Sequence, residues 1–97
     1  MRDTREEKRG ADFRLGSLFI TPGAQQALTH EEIMGALGRH CRGDWGEVSA
    51  EDQAENDLSV KEGFRILSAY RSRTGHKFWV ITEADRSATT VLLPDEY

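Results

Sequence analysis

The sequence predicts a small α+β domain, in which helices from the first half of the chain pack on an antiparallel sheet from the second half. Helix start signals, each a hydroxyl residue followed by proline or by acids, recur three times between residues 21 and 52. From residue 64 onward, apolar and polar residues instead alternate, and short turn sequences separate the alternating runs. We expect one domain over residues 13–97, because a chain of 97 residues buries enough surface for one core only.

The N-terminal part of the chain predicts a tail, a strand and a short helix. Residues 1–12 are mostly charged and nearly free of apolar side chains, which predicts a disordered tail. The stretch FRLGSLFI, residues 13–20, is rich in aromatic and aliphatic residues and predicts a first strand. Thr21 and Pro22 then fit the N-cap and the first position of a short helix.

A second helix is predicted to begin at Thr29, which forms a capping-box pattern with Glu32. Apolar residues at helical spacing predict one buried stripe. That stripe comprises Ile33, Leu37 and Cys41. Gly35 and Gly38 lie inside this helix, where glycine is destabilising, so we expect them to permit close packing against the sheet.

A third helix is predicted to begin at Ser49, with acids in its first turn. Its apolar content is low, and we expect a narrow buried face made of Ala50, Ala54 and Leu58. This composition places the helix at the edge of the core.

The remaining residues predict a three-stranded antiparallel meander. FRILSAYRS alternates, with Phe64, Ile66 and Tyr70 on one face, and RTGH at 73–76 forms a hairpin turn. KFWVITE is apolar on both faces and predicts a central strand that buries Trp79. ADRS makes the next turn, and ATTVLLP is the last strand. The full expectation is this meander plus the N-terminal strand, with two or three helices packed on them.

Composition argues against several classes of protein. A net charge of −4 disfavours a general nucleic-acid binder. No apolar run is long enough to span a bilayer, and the N-terminus lacks a secretory signal, so a cytoplasmic location is expected. Cys41 is the only cysteine, and His30, His40 and His76 lack the spacing of a metal-binding pair. No phosphate-binding glycine loop is present, and we expect neither a metal nor a cofactor.

The charge distribution suggests a binding surface. Residues 44–57 contain six acidic residues and no Lys or Arg. These candidates for partner binding are Asp44, Glu47, Glu51, Asp52, Glu55 and Asp57. Trp45 lies among them, flanked by Asp44 and Gly46, and either fills the core or anchors an interface. The alternative for the whole run is a solvated helix face.

A catalytic alternative rests on three residue types. Small ribonucleases place Glu, Arg and His on an antiparallel sheet, where the base takes the 2′-hydroxyl proton and Arg holds the phosphate. Glu83, Arg86 and His40 (or His76) supply those types here. The simpler interpretation is a Glu83–Arg86 surface ion pair at a hairpin turn and a His40 that complements the dipole of its helix. No catalytic residue is favoured.

Five blocks carry a resemblance that covers everything after the tail. They are LFITPGA, RHCRGDWG, EDQAEND, GFRILSAY and FWVITEADRSATTVLLPDEY. The chain resembles a group of small plasmid- and island-borne bacterial proteins that are called plasmid-related and are sometimes labelled restriction-modification subunits. A methyltransferase subunit would need a cofactor domain far larger than 97 residues. The resemblance implies a bacterial mobile-element setting and transfers no catalytic residues.

Together these observations favour a small non-enzymatic binding protein of a bacterial mobile element. A run of carboxylates imitates the charge of a phosphate backbone, so the acidic segment suits a host or mobile-element protein with a basic surface. An inhibitor of a host defence complex, of the anti-CRISPR or antirestriction type, is the specific form of this hypothesis. Direct binding to nucleic acid or to a membrane is not expected. The alternative is a small ribonuclease or toxin that acts from the sheet.

Overall fold

A computed structural model describes residues 13–97, and the tail predicted over residues 1–12 lies outside them. The helices are α1 (Pro22–Ala27), α2 (His30–Cys41) and α3 (Ala50–Glu62). The strands are β1 (Ser17–Ile20), β2 (Ile66–Arg71), β3 (Lys77–Thr82) and β4 (Ala88–Leu92), and a 3-10 turn follows at Pro94–Glu96. The four strands form one sheet in the order β1-β4-β3-β2. Strands β2, β3 and β4 form the predicted antiparallel meander, whereas β1 runs parallel to β4. The α+β prediction is confirmed.

All three helices begin where the local signals place them. The Thr21 hydroxyl accepts the Ala24 N–H, and Pro22 is the first residue of α1. Thr29 and Glu32 form the reciprocal capping box of α2. The Ser49 hydroxyl accepts an N–H from the first turn of α3 at 3.0 Å. These contacts satisfy N–H groups that have no partner within a helix.

The main core lies between helices α1 and α2 and one face of the sheet, here called the inner face. Its residues are Ala24, Leu28, Ile33, Ala36, Leu37, Tyr70, Phe78, Val80 and Val91. The buried stripe predicted for α2 is therefore confirmed at Ile33 and Leu37, while Cys41 is half-buried. The opposite, outer face buries Ile81 and Leu92.

Trp79 on the outer face is less buried than the sequence pattern predicts. Its ring is only half-buried and meets the exposed Tyr97 ring edge-on, with 5.8 Å between centroids. The C-terminal turn that brings Tyr97 there is tied to the start of α1, because the Glu96 carboxylate accepts the Gly23 N–H at 2.9 Å. Tyr97 thus partly covers Trp79 on the outer face.

Three expectations about packing are wrong. The predicted buried face of α3, Ala50, Ala54 and Leu58, is exposed, and the helix instead buries the polar residues Asn56 and Ser59. A methyl group at Gly35 would meet nothing within 4 Å, so this glycine does not serve close packing. Phe64 precedes β2 and is 54% exposed, because the buried alternation starts only at Ile66.

The outward edge of β2 is covered by the segment between α2 and α3 and by α3 itself. The Ala69 N–H donates to Trp45 O at 3.0 Å, and Ala69 O accepts the Glu47 N–H at 2.6 Å. Two residues earlier on β2, Leu67 O accepts from the Asn56 amide at 2.8 Å, and the Leu67 N–H donates to the Asn56 side-chain oxygen at 3.2 Å. A polar side chain therefore joins α3 to the sheet where apolar contact was expected.

Within residues 13–97, no helix combines the length and the apolar character that crossing a membrane requires.

Candidate acidic interface

The acidic segment, residues 44–57, is held against the sheet by a close backbone approach. Gly46 has a φ of 78° and forms a bridge with Ala69 on β2. Any side chain at Gly46 would overlap the Ala69 carbonyl oxygen, so this position requires glycine for contact as well as conformation. This bridge fixes the path of the chain into α3.

Two of the six candidate acids form ion pairs with neighbouring arginines. The Asp44 carboxylate accepts two hydrogen bonds from Arg39, at 2.7 and 3.1 Å. The Glu47 carboxylate accepts two from Arg71, at 3.0 and 3.3 Å. These arginine hydrogen bonds lower the pKa of Asp44 and of Glu47. The charge of both acids is balanced within the molecule, which leaves little of it for a partner.

A third acid, Asp57, holds the tryptophan of the segment. Trp45 is 4% exposed and donates its indole N–H to the Asp57 carboxylate at 3.0 Å. Its ring stacks on Phe13 and lies edge-on to His40. Trp45 therefore fills the core, as one of the two predicted alternatives has it, and is not accessible to a partner.

Three acids of α3 remain: Glu51, Asp52 and Glu55. All three are exposed, and within residues 13–97 their carboxylates form no hydrogen bond or ion pair. Glu51 and Glu55 are four residues apart and share one face of the helix. Asp52, three residues before Glu55, lies beside that pair on the helix surface. Among the acids of residues 44–57, these three are the ones without a partner in the described part of the chain.

Asp52 and Glu55 border a cleft of about 240 Å³ between α3 and the start of β2. It is lined by Val48, Asp52, Glu55, Asn56, Ser59, Arg65 and Leu67. Arg65 is the basic group of this lining among residues 13–97, and it donates to the Tyr97 hydroxyl at 2.6 Å and lies 3.9 Å from the Glu83 carboxylate. Asp52 and Glu55 therefore form no ion pair with any cation of that part of the chain. The lining thus combines two apolar residues, Val48 and Leu67, with two carboxylates and one guanidinium.

His40, a residue of the catalytic alternative, lies at the centre of a buried hydrogen-bond chain. Its Nδ1 is 2.5 Å from the Ser68 hydroxyl and its Nε2 is 2.8 Å from the Thr82 hydroxyl. Thr82 bonds Thr89 at 2.7 Å, and Thr89 donates to Leu15 O at 2.7 Å. The chain crosses the inner face of the sheet from β2 to β4.

The direction of these hydrogen bonds follows from the carbonyl at one end. Leu15 O can only accept, so Thr89 donates to it and must accept from Thr82. Thr82 in turn accepts from His40 Nε2–H, which leaves Nδ1 to accept the Ser68 hydroxyl proton. This assignment holds for the neutral imidazole, which burial favours, and it places the proton on Nε2. Burial, together with the charge of Arg86, lowers the pKa of His40 from its ordinary value of 6.5 to about 3.

Arg86 binds backbone carbonyls. One terminal nitrogen of its guanidinium donates to Phe64 O, Glu83 O and Ala84 O at 2.8–3.1 Å, and the other donates to Ser59 O at 2.7 Å. Its backbone has a φ of 62°, the one positive value at a residue other than glycine among residues 13–97. Arg86 thus joins the β3–β4 turn to the end of α3.

The structure does not bring Glu83, Arg86 and either candidate histidine into one accessible site, since His76 and Glu83 lie at opposite ends of β3. His40 is 0% exposed with both ring nitrogens bonded, and Arg86 donates to four carbonyls. The Glu83–Arg86 ion pair expected from the sequence is absent from residues 13–97, where Glu83 pairs with Arg65 instead. In this arrangement His40 is enclosed in the core, and the guanidinium of Arg86 is engaged by backbone carbonyls, so both residues stabilise the fold.

Sequence patterns missed Asn56 and Arg65, two polar residues of the cleft lining. Hydrophobic periodicity cannot identify Asn56, because this polar residue is buried through hydrogen bonds to the backbone of Leu67, eleven residues away in sequence. The signal that could have pointed to Asn56 is the low apolar content of α3, since such a helix depends on polar contacts to attach it to the sheet.

Within residues 13–97, no group of His, Cys, Asp and Glu side chains is arranged to hold a metal ion. No protein-family model matches the chain, and no match is found among curated proteins or solved structures.

Proposed function

We propose that this protein is a small binding protein that uses the acidic cleft beside α3 to dock a basic surface of another protein. The observation that carries the proposal is the cleft bordered by Asp52 and Glu55, whose charges are unpaired within residues 13–97. Glu51 extends the same negative surface by one residue along the helix. The acidic surface of the proposal is therefore narrower than the full set of acids in residues 44–57.

The shape and chemistry of the cleft suit the side chain of arginine or lysine. The methylene groups of such a side chain can pack on Val48 and Leu67 while its charged end meets the two carboxylates. Arginine fits best, because its planar guanidinium donates to two acceptors at once. The partner is therefore a protein whose basic residues project from its surface.

The kind of partner follows from charge and from the resemblance of the chain to mobile-element proteins. Proteins that bind nucleic acid carry clustered Lys and Arg side chains, and an acidic protein can occupy that surface in place of phosphates. We propose a host complex of this type, located in the cytoplasm, with inhibition of a defence complex as the outcome of binding. The chain itself, with a net charge of −4, is not proposed to bind nucleic acid.

The test is titration calorimetry of the full chain with a short arginine-rich peptide at two salt concentrations. Binding should weaken as salt rises, because the attracting charges are exposed and screened. The double variant Asp52→Lys, Glu55→Lys should bind at least about tenfold more weakly, which is about 1.4 kcal/mol. The matched control is Glu31→Lys, Asp95→Lys, which makes the same change in net charge at exposed residues outside the cleft.

Equal weakening in both double variants would show that only the net charge matters and would contradict the cleft as the binding site. Binding that is indifferent to salt and to all four substitutions would contradict the proposal as a whole.

A further inference from the structure

Among residues 13–97, the backbone groups at one edge of the sheet have hydrogen-bond partners, and those at the other edge do not. On β2, the outward backbone groups of Leu67 and Ala69 are paired with Asn56 and with the Trp45–Glu47 segment. On β1, at the other edge, no partner for the outward backbone groups exists within residues 13–97. An unpaired edge is a template for another strand.

The register of β1 shows which backbone groups point outward. Ser17 N–H donates to Ser87 O, and Thr21 N–H donates to Val91 O. In a parallel pair, alternate residues direct both backbone groups toward the neighbouring strand, so Phe19 lies with this inward set. The N–H and C=O groups of Leu18 and Ile20 therefore point away from the sheet.

The side chains around this edge are apolar, exposed and without charge. Leu18, Phe19 and Ile20 are 49%, 56% and 42% exposed. No charged residue or histidine occurs from residue 15 to residue 29, a range that includes β1 and α1, although 31% of the chain is charged. Charge depletion is typical of the core of protein interfaces. Strand β1 is short, at four residues, but it contains no lysine, proline or bulge, which are further means by which natural edge strands avoid pairing.

We propose that β1 pairs antiparallel with β1 of a second copy of this chain, about a two-fold axis at Phe19. Leu18 of one copy would then exchange both backbone hydrogen bonds with Ile20 of the other, and the converse pair does the same. The outward groups match in this register because Leu18 and Ile20 are symmetric about Phe19. The two Phe19 residues face each other as a non-hydrogen-bonded pair, and the sheet continues from one copy into the other.

A second copy fits this edge better than the other possible occupants. A two-fold interface needs a surface that is complementary to itself. The outward backbone groups of Leu18 and Ile20 meet this requirement, because they lie symmetrically on either side of Phe19. Residues 1–12 of the same chain are mostly charged, so they offer little apolar surface to cover the patch. The acidic residues of α3 lie toward the β2 edge, so pairing through β1 does not bring the two acidic surfaces together.

Sedimentation velocity of the full chain at increasing concentration tests the proposal. The strand is short, so the interface belongs to the small and reversible class, and we expect a monomer–dimer equilibrium. Phe19→Lys should raise the dimer dissociation constant at least about tenfold, because it places two like charges opposite each other across the axis. The matched control is Phe64→Lys, since Phe64 is exposed to a similar extent, 54%, and lies outside the sheet.

Disulfide cross-linking tests the register itself, in a Cys41→Ala background. Phe19→Cys should form a covalent dimer readily, because residues in a non-hydrogen-bonded pair are about 4.5 Å apart at Cα, within the range of a disulfide. Ser17→Cys should cross-link far more slowly, because residue 17 would face residue 21 of the other copy. A monomer at every concentration, the result expected if the edge takes a strand from a different protein, would overturn the proposal. So would equal cross-linking at both positions, or equal weakening by Phe19→Lys and Phe64→Lys.

Discussion

Lowering the pH from 7 to 5 should destabilise this protein through His40. The unfolded chain takes up a proton on this imidazole near its ordinary pKa of 6.5, whereas in the native state burial and the charge of Arg86 hold that pKa at about 3. Because the native pKa is below the unfolded one, the unfolded state binds more protons in this pH range. The stabilisation that depends on a neutral His40 is therefore complete above pH 6.5 and is lost progressively as the pH falls.

The magnitude follows from the distance between the pH and the unfolded pKa. Each pH unit below 6.5 removes about 1.4 kcal/mol, so the loss at pH 5 is about 2 kcal/mol. The native pKa does not enter this figure as long as it lies below 5. The lowered pKa of carboxylates such as Asp44 acts in the same direction, but their contribution is lost mainly below about pH 5.

Urea denaturation at pH 7 and at pH 5, followed by tryptophan fluorescence, measures the effect. The control is His40→Gln, which removes the titrating group and should remove most of the difference between the two pH values. A wild-type loss below about 0.5 kcal/mol would refute the buried, neutral imidazole. An equal loss in the variant would assign the pH dependence to other groups.

Three further stability changes are expected in urea denaturation at pH 7. Asn56→Ala should cost about 2 kcal/mol because it leaves Leu67 N–H and C=O without partners, and a loss below 0.5 kcal/mol would show that other contacts hold α3. Arg86→Lys should cost about 2 kcal/mol, because an ammonium cannot donate to all four backbone carbonyls that the guanidinium binds. Unchanged stability would show that water satisfies those carbonyls equally well. Trp79→Ala should cost about 2–3 kcal/mol, less than a fully buried ring, and a loss below 1 kcal/mol would contradict its packing on Tyr97.

The features that the sequence predicts correctly are those that depend on neighbouring residues. Thr21, Thr29 and Ser49 cap their helices because a cap needs only the next three residues. The meander is also predictable, since its strands are joined by short turns.

The features that the sequence does not predict depend on contacts between distant residues. The parallel pairing of β1 with β4 joins residues about seventy positions apart, which no local pattern encodes. Hydrophobic periodicity assigned α3 the wrong face, because Asn56 attaches this helix through hydrogen bonds. For the candidate site, the sequence identified the acids, but it could not show that Asp44, Glu47 and Asp57 have partners inside the molecule.

We propose that a basic partner docks in the cleft beside α3. An NMR titration of the ¹⁵N-labelled full chain with a short arginine-rich peptide tests it most directly, because each backbone amide reports its own environment. If a basic partner docks in the cleft, the largest shifts occur at Asp52, Glu55 and Leu67, which line it, and they diminish as salt is raised. Shifts that are instead largest in the groove beside Glu31 and Gly35, or that are spread evenly over all exposed acids, would contradict it.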